Sequence, residues 1–361
     1  MKTSSLHERH QKLGASFAEI TGWSMPSDYG DPAAEHAAVR TAAGLIDLSH
    51  RGRLKVTGDD RTKWLQSIIS NDILPLSDGR GIYSSLLTHK GKMLTYFRVY
   101  ALADSLLIED VGELGDTTQQ TLRKFLLYGT KAKMESLRES WGLLLVSGPK
   151  ATEVVKSALG ADATPLSLPS CLSHSLEGIS LLVLRTEETG EIDVEILAPA
   201  EQVGALWDRL WQAGQPFGLR VFGTRAHESL RIEAGLPKAG AEITEEIVPP
   251  EANLEGKAFS LSKGCYPGQE VVARMDTYGT VRRRMVGLRI HGSVVPARGA
   301  KLFSQNREVG WVSSAVQSPR LGPIALGFPL RDFSTAGTAL TIDLDGQRLP
   351  ATVSALPFSK A

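Results

Sequence analysis

The sequence is poor in sulfur: among 361 residues it has only two cysteines, Cys171 and Cys265. They stand far apart and form no CxxC pair. That excludes a disulfide framework, a four-cysteine zinc site and an iron-sulfur cluster held within one chain, so no metal centre is expected. Long apolar runs are missing too; stretches such as Ile179 to Leu184 fall far short of the roughly 20 residues that a membrane-spanning helix needs. Charge of one sign is absent, because 40 Lys and Arg offset 40 Asp and Glu, and no overall field draws the chain to nucleic acid or an anionic membrane. The first ten residues carry no apolar segment of the secretory kind. Together these absences set the expectation of a cytoplasmic, monomeric protein with no direct nucleic-acid partner and no membrane segment. No Walker loop, no HExxH, no G-x-G-x-x-G after a strand and no internal repeat is present.

A hydrophobic content of 42% and a charged content of 22% describe a folded chain, and its length calls for two or three domains. Leu13, Phe17 and Ile20 recur at helical spacing, which predicts a helix over 7–22 followed by a loop at Trp23 to Pro26. A second helix is predicted from Pro32, with Pro in its first turn. Short strands are expected at Leu45 to His50 and Arg53 to Gly58, and a hairpin bends at Gly91. Trp141 to Ser147 and Ile179 to Leu184 read as strands of a sheet covered on both faces. A Ser- and Pro-rich loop is expected to carry Cys171, to which no role is assigned. From 281 onward the pattern changes to short strands punctuated by Gly and Pro, the rhythm of a small β-barrel. The expected fold is α+β: a body over 1–280, its two intertwined domains meeting near 50 and 140, and a barrel over 281–361.

The stretch richest in chemistry is Lys263-Gly264-Cys265-Tyr266-Pro267-Gly268-Gln269-Glu270. Glycines on either side leave the thiol uncrowded, Lys263 brings a positive charge, and Pro267 suits the start of a helix; a thiol so placed favours its anion. Elsewhere, His50 reads as a structural histidine. The run Arg282-Arg283-Arg284 reads as a solvated β-edge, since alternate residues of a strand face opposite sides.

The octapeptide resembles the signature of YgfZ-type proteins, folate-binding relatives of the glycine-cleavage T-protein (aminomethyltransferase). Gly22-Trp23-Ser24-Met25-Pro26, Ala43 to Gly52, Thr189 to Ile196 and Arg231 to Pro237 are similar to segments of the T-protein itself. The resemblance implies the three-domain T-protein fold and tetrahydrofolate as cofactor. It also implies folate contacts at Tyr83, Glu195 and Arg231, with Glu195 on the pterin edge. In the T-protein a carboxylate handles the folate nitrogen, and Thr95 and Tyr96 stand where it should lie; neither is a carboxylate. Glu188 likewise replaces a family tyrosine.

The function expected on this resemblance is a tetrahydrofolate-binding protein that assists iron-sulfur cluster assembly or repair in client enzymes, tRNA-modifying ones included. Reduced folate and iron-sulfur client or scaffold proteins are its expected partners. Cys265 is its working thiol, assisted by Lys263, with Gly264, Tyr266, Gly268, Gln269 and Glu270 shaping the loop. The alternatives are an aminomethyltransferase of glycine cleavage and a direct tRNA-modification factor.

Overall fold

In a computed structural model of the chain, which describes residues 1–278, 281–344 and 346–358, two large open sheets, a small three-stranded N-terminal sheet and a closed barrel carry most of the helices and loops. The apolar run Trp141–Ser147 is buried along nearly its whole length because it lies inside a six-stranded sheet, flanked by Asp193–Pro199 and Ala43–Asp47. Ile179–Thr186, Ser170–Leu176 and Leu219–Val221 complete that sheet. One face is covered by Val154, Val155, Leu206, Trp207 and Leu210 of the helices Ala151–Leu159 and Val203–Gly214. On the other face, Leu143, Leu145 and Leu197 meet Val39 and Leu230 of the helices Pro32–Thr41 and Thr224–Ala234. Tyr100 and Leu107 join them there from the second sheet.

The second sheet has five antiparallel strands in the order Gly81–Ser84, Phe97–Ala101, Leu106–Asp110, Arg53–Thr57, Lys133–Ser136. The chain therefore leaves the first sheet after Asp47, builds the second, and returns at Trp141. The C-terminal strands, from Val286–Ile290 to Gln347–Ser354, close into a six-stranded barrel, which removes every free sheet edge there. The α+β body with a terminal β-barrel is as expected. The expected boundary at 280/281 falls beside residues 279 and 280, which lie outside the described residues.

Three local expectations are corrected. Residues 7–22 do not make one helix: His7–Lys12 ends at Gly14 (φ +77°), and Ser16–Ile20 then pairs with Trp23–Asp28. The reason is the turn Thr21-Gly22, with φ of +47° and +82°, the two-residue hairpin geometry that an i, i+3, i+4 count does not see. Cys171 sits on the strand Ser170–Leu176 and not in a loop. There burial pushes its thiol up to about 12, so it is an inert structural residue. Arg282 to Arg284 precede the first barrel strand: Arg283 lies 4.9 Å from the Trp311 ring centroid and Arg284 pairs with Glu255 at 3.0 Å. Among the described residues, no helix is long and apolar enough to cross a membrane.

Candidate active-site cleft

A cleft of about 570 Å³ opens where the two sheet bodies and the barrel meet. Ile20 comes from the N-terminal hairpin, Arg225 from the helix Thr224–Ala234 on the first sheet, Glu113 from the second body and Gln317 from the barrel. Its inner wall, which includes His227 and Glu228, also bounds a cavity of about 20 Å³ with Arg51, Glu188 and Arg231. That cavity has room for about one water-sized body.

Behind this wall lies a buried cluster of ions. Strand pairing creates it: Arg98 is in register with Tyr83 on one side and with Glu109 on the other. The Arg98 guanidinium donates from Nη2 to Glu188 Oε1 at 2.8 Å and to Glu195 Oε1 at 3.3 Å, while its Nε lies 3.3 Å from Glu109 Oε2. Arg51 Nη2 donates to Glu188 Oε2 at 2.8 Å, and its Nη1 is 3.7 Å from Glu195 Oε1. His227 Nε2 stands 3.5 Å from Glu188 Oε2.

The two glutamates are driven apart. Burial penalises both anions, but Glu188 has a guanidinium hydrogen bond on each oxygen, and Arg51 and Arg98 hold it well below the carboxylate range. For Glu195 burial wins: Arg98 is shared and more distant, Glu109 and Glu188 repel its charge, and its carboxyl is pushed well up. Its Oε2 has no hydrogen-bond partner. Environments that force neighbouring carboxyls to opposite protonation states are a mark of reactive sites.

The other folate residues implied by the resemblance take distinct places. Tyr83 is buried, with its ring stacked on Tyr96 (centroids 5.7 Å apart, planes 22° apart) and its hydroxyl unpartnered. Lys257 Nζ lies 4.5 Å from the Tyr83 ring centroid and is ion-paired to Glu187. Tyr83 and Glu195 thus converge on Arg98. Arg231 lines the small cavity, yet it is saturated by Glu228 (2.7 Å), Glu242 (2.9 Å), the Leu236 carbonyl and Ser314 Oγ of the barrel. It joins body to barrel. Thr95 Oγ1 accepts the Leu86 N–H at 3.1 Å and is tied into the hairpin.

The octapeptide is elsewhere. Lys263 does not turn to the thiol: its Nζ donates to the carbonyls of Gln66 and Ile69 at 2.6 Å and of Asn71 at 3.1 Å, capping the end of the helix Arg61–Ile68. Tyr266 is buried and donates to the Ser260 carbonyl, and Gln269 Nε2 donates to the Lys263 carbonyl. Gly268, at φ +80°, lies against the hairpin tip, where a Cβ would come within 2.4 Å of the Thr88 carbonyl oxygen. Gly264, Cys265 and Glu270 are exposed, and Glu270 pairs with Arg274.

Sequence reasoning missed Arg51, Arg98, Glu109 and His227, and read Glu188 merely as a departure from a pattern. The available signal was an arginine within Phe97-Arg98-Val99-Tyr100 and a glutamate within Leu107-Ile108-Glu109: opposite charges inside two apolar strands joined by a short turn.

Two family models cover the chain. The GCVT N-terminal domain matches residues 6–261 and the glycine cleavage T-protein C-terminal barrel domain matches residues 283–360. An aminomethyltransferase of Saccharopolyspora erythraea is 32% identical, over 99% of this chain and 98% of its own length. One of Chlorobium luteolum is 33% identical, over 100% and 99%. The crystal structure of glycine cleavage system aminomethyltransferase T from Bartonella henselae superposes with a TM-score of 0.89 at 28% identity, covering 99% of this chain and 98% of that one. These matches overturn the expectation of a YgfZ-type factor for iron-sulfur assembly and tRNA-modifying enzymes, since chains that align from end to end are named aminomethyltransferase. With this fold and likeness over its whole length, the chain belongs to the aminomethyltransferase family of glycine-cleavage T-proteins.

Proposed function

We propose that the chain is a folate-dependent aminomethyltransferase that moves a one-carbon unit from an amine-bearing carrier to tetrahydrofolate, the cofactor of its family. The observation that carries the reading is the buried Glu195 carboxyl behind the cleft, held by Arg98 through Oε1 and unpartnered at Oε2. A neutral carboxyl presents an acceptor beside a donor, the complement of a ring nitrogen next to an exocyclic amine. Burial pushes the Glu195 carboxyl well up, toward that neutral form, and Glu195 is the group that meets the pterin edge.

The residues present fit the cofactor in chemistry. Glu195 Oε2 and the Tyr83 hydroxyl are buried polar atoms without partners, and the 570 Å³ cleft is of ligand-binding size. Arg51 and Glu188 line the inner cavity, and Glu195 lies behind their ion pair. When bound, the folate supplies the nitrogen nucleophile that receives the one-carbon unit. Proton handling, which Thr95 and Tyr96 cannot perform as carboxylates, falls to His227. The residue lines both cleft and cavity, and its Nε2 stands 3.5 Å from Glu188 Oε2. Arg98 is the positioning residue that fixes both glutamates.

The octapeptide supports architecture and not a separate activity, because Lys263 holds the helix Arg61–Ile68 and Gly268 lies against the hairpin tip. The test is titration with tetrahydrofolate, followed by one-carbon transfer from an aminomethyl-loaded lipoyl carrier protein. Glu195→Gln, which keeps acceptor and donor, retains binding, whereas Glu195→Ala weakens it. His227→Gln lowers kcat and alters its pH profile with little change in folate affinity. Folate binding unchanged in a folded Glu195→Ala variant would overturn the assignment.

A further inference from the structure

A groove of about 620 Å³ that shares no residue with the cleft runs between the helix Arg61–Ile68 and the segment 124–130. Trp64, Ile68 and Phe125 form its apolar floor, fixed by a hydrogen bond from Trp64 Nε1 to the Phe125 carbonyl at 3.0 Å. Leu127 and Tyr128 stand at its lip, 74% and 108% exposed. Single exposed apolar residues are ordinary, but an adjacent pair over a concave apolar floor is what a protein interface offers as anchors.

The charge at this groove is one-sided. Lys63 and Lys124 line it, and neither makes an ion pair among the described residues, although the whole chain is neutral. The one carboxylate in the lining, Asp60, is occupied by the Lys131 N–H at 2.8 Å. The adjoining strand Lys133–Ser136 is a sheet edge, paired only to Arg53–Thr57.

We propose that this groove docks an acidic segment of a partner protein, with apolar side chains of that segment against Trp64, Leu127 and Tyr128 and its carboxylates on Lys63 and Lys124. A flat anionic lipid surface fits less well, because the floor is recessed and Asp60 lies within it. The inference does not depend on the reaction proposed for the cleft.

The probe is a labelled amphipathic helical peptide of glutamate and leucine, with a lysine-for-glutamate counterpart, titrated by anisotropy into the full chain. The glutamate peptide is expected to bind, more weakly as salt rises, and to lose about tenfold or more in affinity in both Lys63→Glu/Lys124→Glu and Leu127→Ser/Tyr128→Ser. Unchanged thermal unfolding in these surface variants serves as the fold control. Four results would overturn the proposal. They are no saturable binding up to about 1 mM peptide, equal binding of the two peptides, indifference to the substitutions, or co-sedimentation with phosphatidylglycerol vesicles that the same substitutions abolish.

Discussion

Two regions of this molecule are dense in charge and differ in how that charge is satisfied. Around Lys263 the ammonium meets three carbonyls, Gln269 and Tyr266 meet one each, and only Cys265 and its neighbours face solvent. Behind the cleft, Glu195 Oε2, the Tyr83 hydroxyl, Arg51 Nη1 and His227 Nε2 are buried without hydrogen-bond partners. A buried polar group left unmade costs about 1–3 kcal/mol, and the fold carries several of them in one place. The saturated groups around Lys263 hold architecture; the unsatisfied ones behind the cleft are those proposed to meet the ligand. The contrast inverts the weight that the sequence places on the two regions.

The largest effect is expected where the cleft cluster is cut at its hub. Arg98→Met leaves Glu109, Glu188 and Glu195 without their shared cation and lowers stability by about 3–5 kcal/mol, measured by urea denaturation. A drop below about 1 kcal/mol would mean that the ions rearrange freely and that the cluster is not preorganised. Asp110 gives a pH-dependent version. Burial raises its carboxyl from 3.8 to about 7, and its one partner is the Thr118 hydroxyl at 2.5 Å. The folded state thus holds a proton that the unfolded chain releases, so this contribution to stability is full below about pH 4, fades up to about pH 7 and is flat above. Asp110→Asn removes the loss and gains up to about 4 kcal/mol over the parent at pH 7.5, and nothing at pH 4. A gain independent of pH would contradict the assignment.

On the other side of the comparison, Lys263→Met uncaps the helix Arg61–Ile68 and costs about 2–3 kcal/mol while tetrahydrofolate affinity stays as in the parent. If the substitution instead abolished activity in a stable protein, the loop would be part of the site. Cys265→Ser, at an exposed position, changes stability by less than about 0.5 kcal/mol and leaves one-carbon transfer intact.

Much of the fold was legible. The buried run Trp141–Ser147, the helix beginning at Pro32 behind its Asp31 cap, and the strand rhythm of the barrel are local signals that tertiary packing reinforces. The N-terminal hairpin was not, because Leu13, Phe17 and Ile20 fall at helical spacing and the deciding residues were Thr21 and Gly22. The site was half legible. Family pattern pointed to Tyr83 and Glu195, but the guanidinium between them depends on the pairing of Phe97–Ala101 with Leu106–Asp110, which turns charges in two apolar strands toward each other. Lys263 misled for the converse reason: two residues from a thiol in sequence, its ammonium lies on carbonyls that come from residues 66 to 71.

The central claim is that the cleft, not the loop, does the chemistry. The direct test is one-carbon transfer to tetrahydrofolate by the purified chain, with the parent, Glu195→Ala and Cys265→Ser compared side by side. Transfer by the parent and by Cys265→Ser is predicted, with folate affinity reduced about ten- to a hundredfold in Glu195→Ala. Absence of transfer by the parent, or its loss in Cys265→Ser with Glu195→Ala unaffected, would contradict the account.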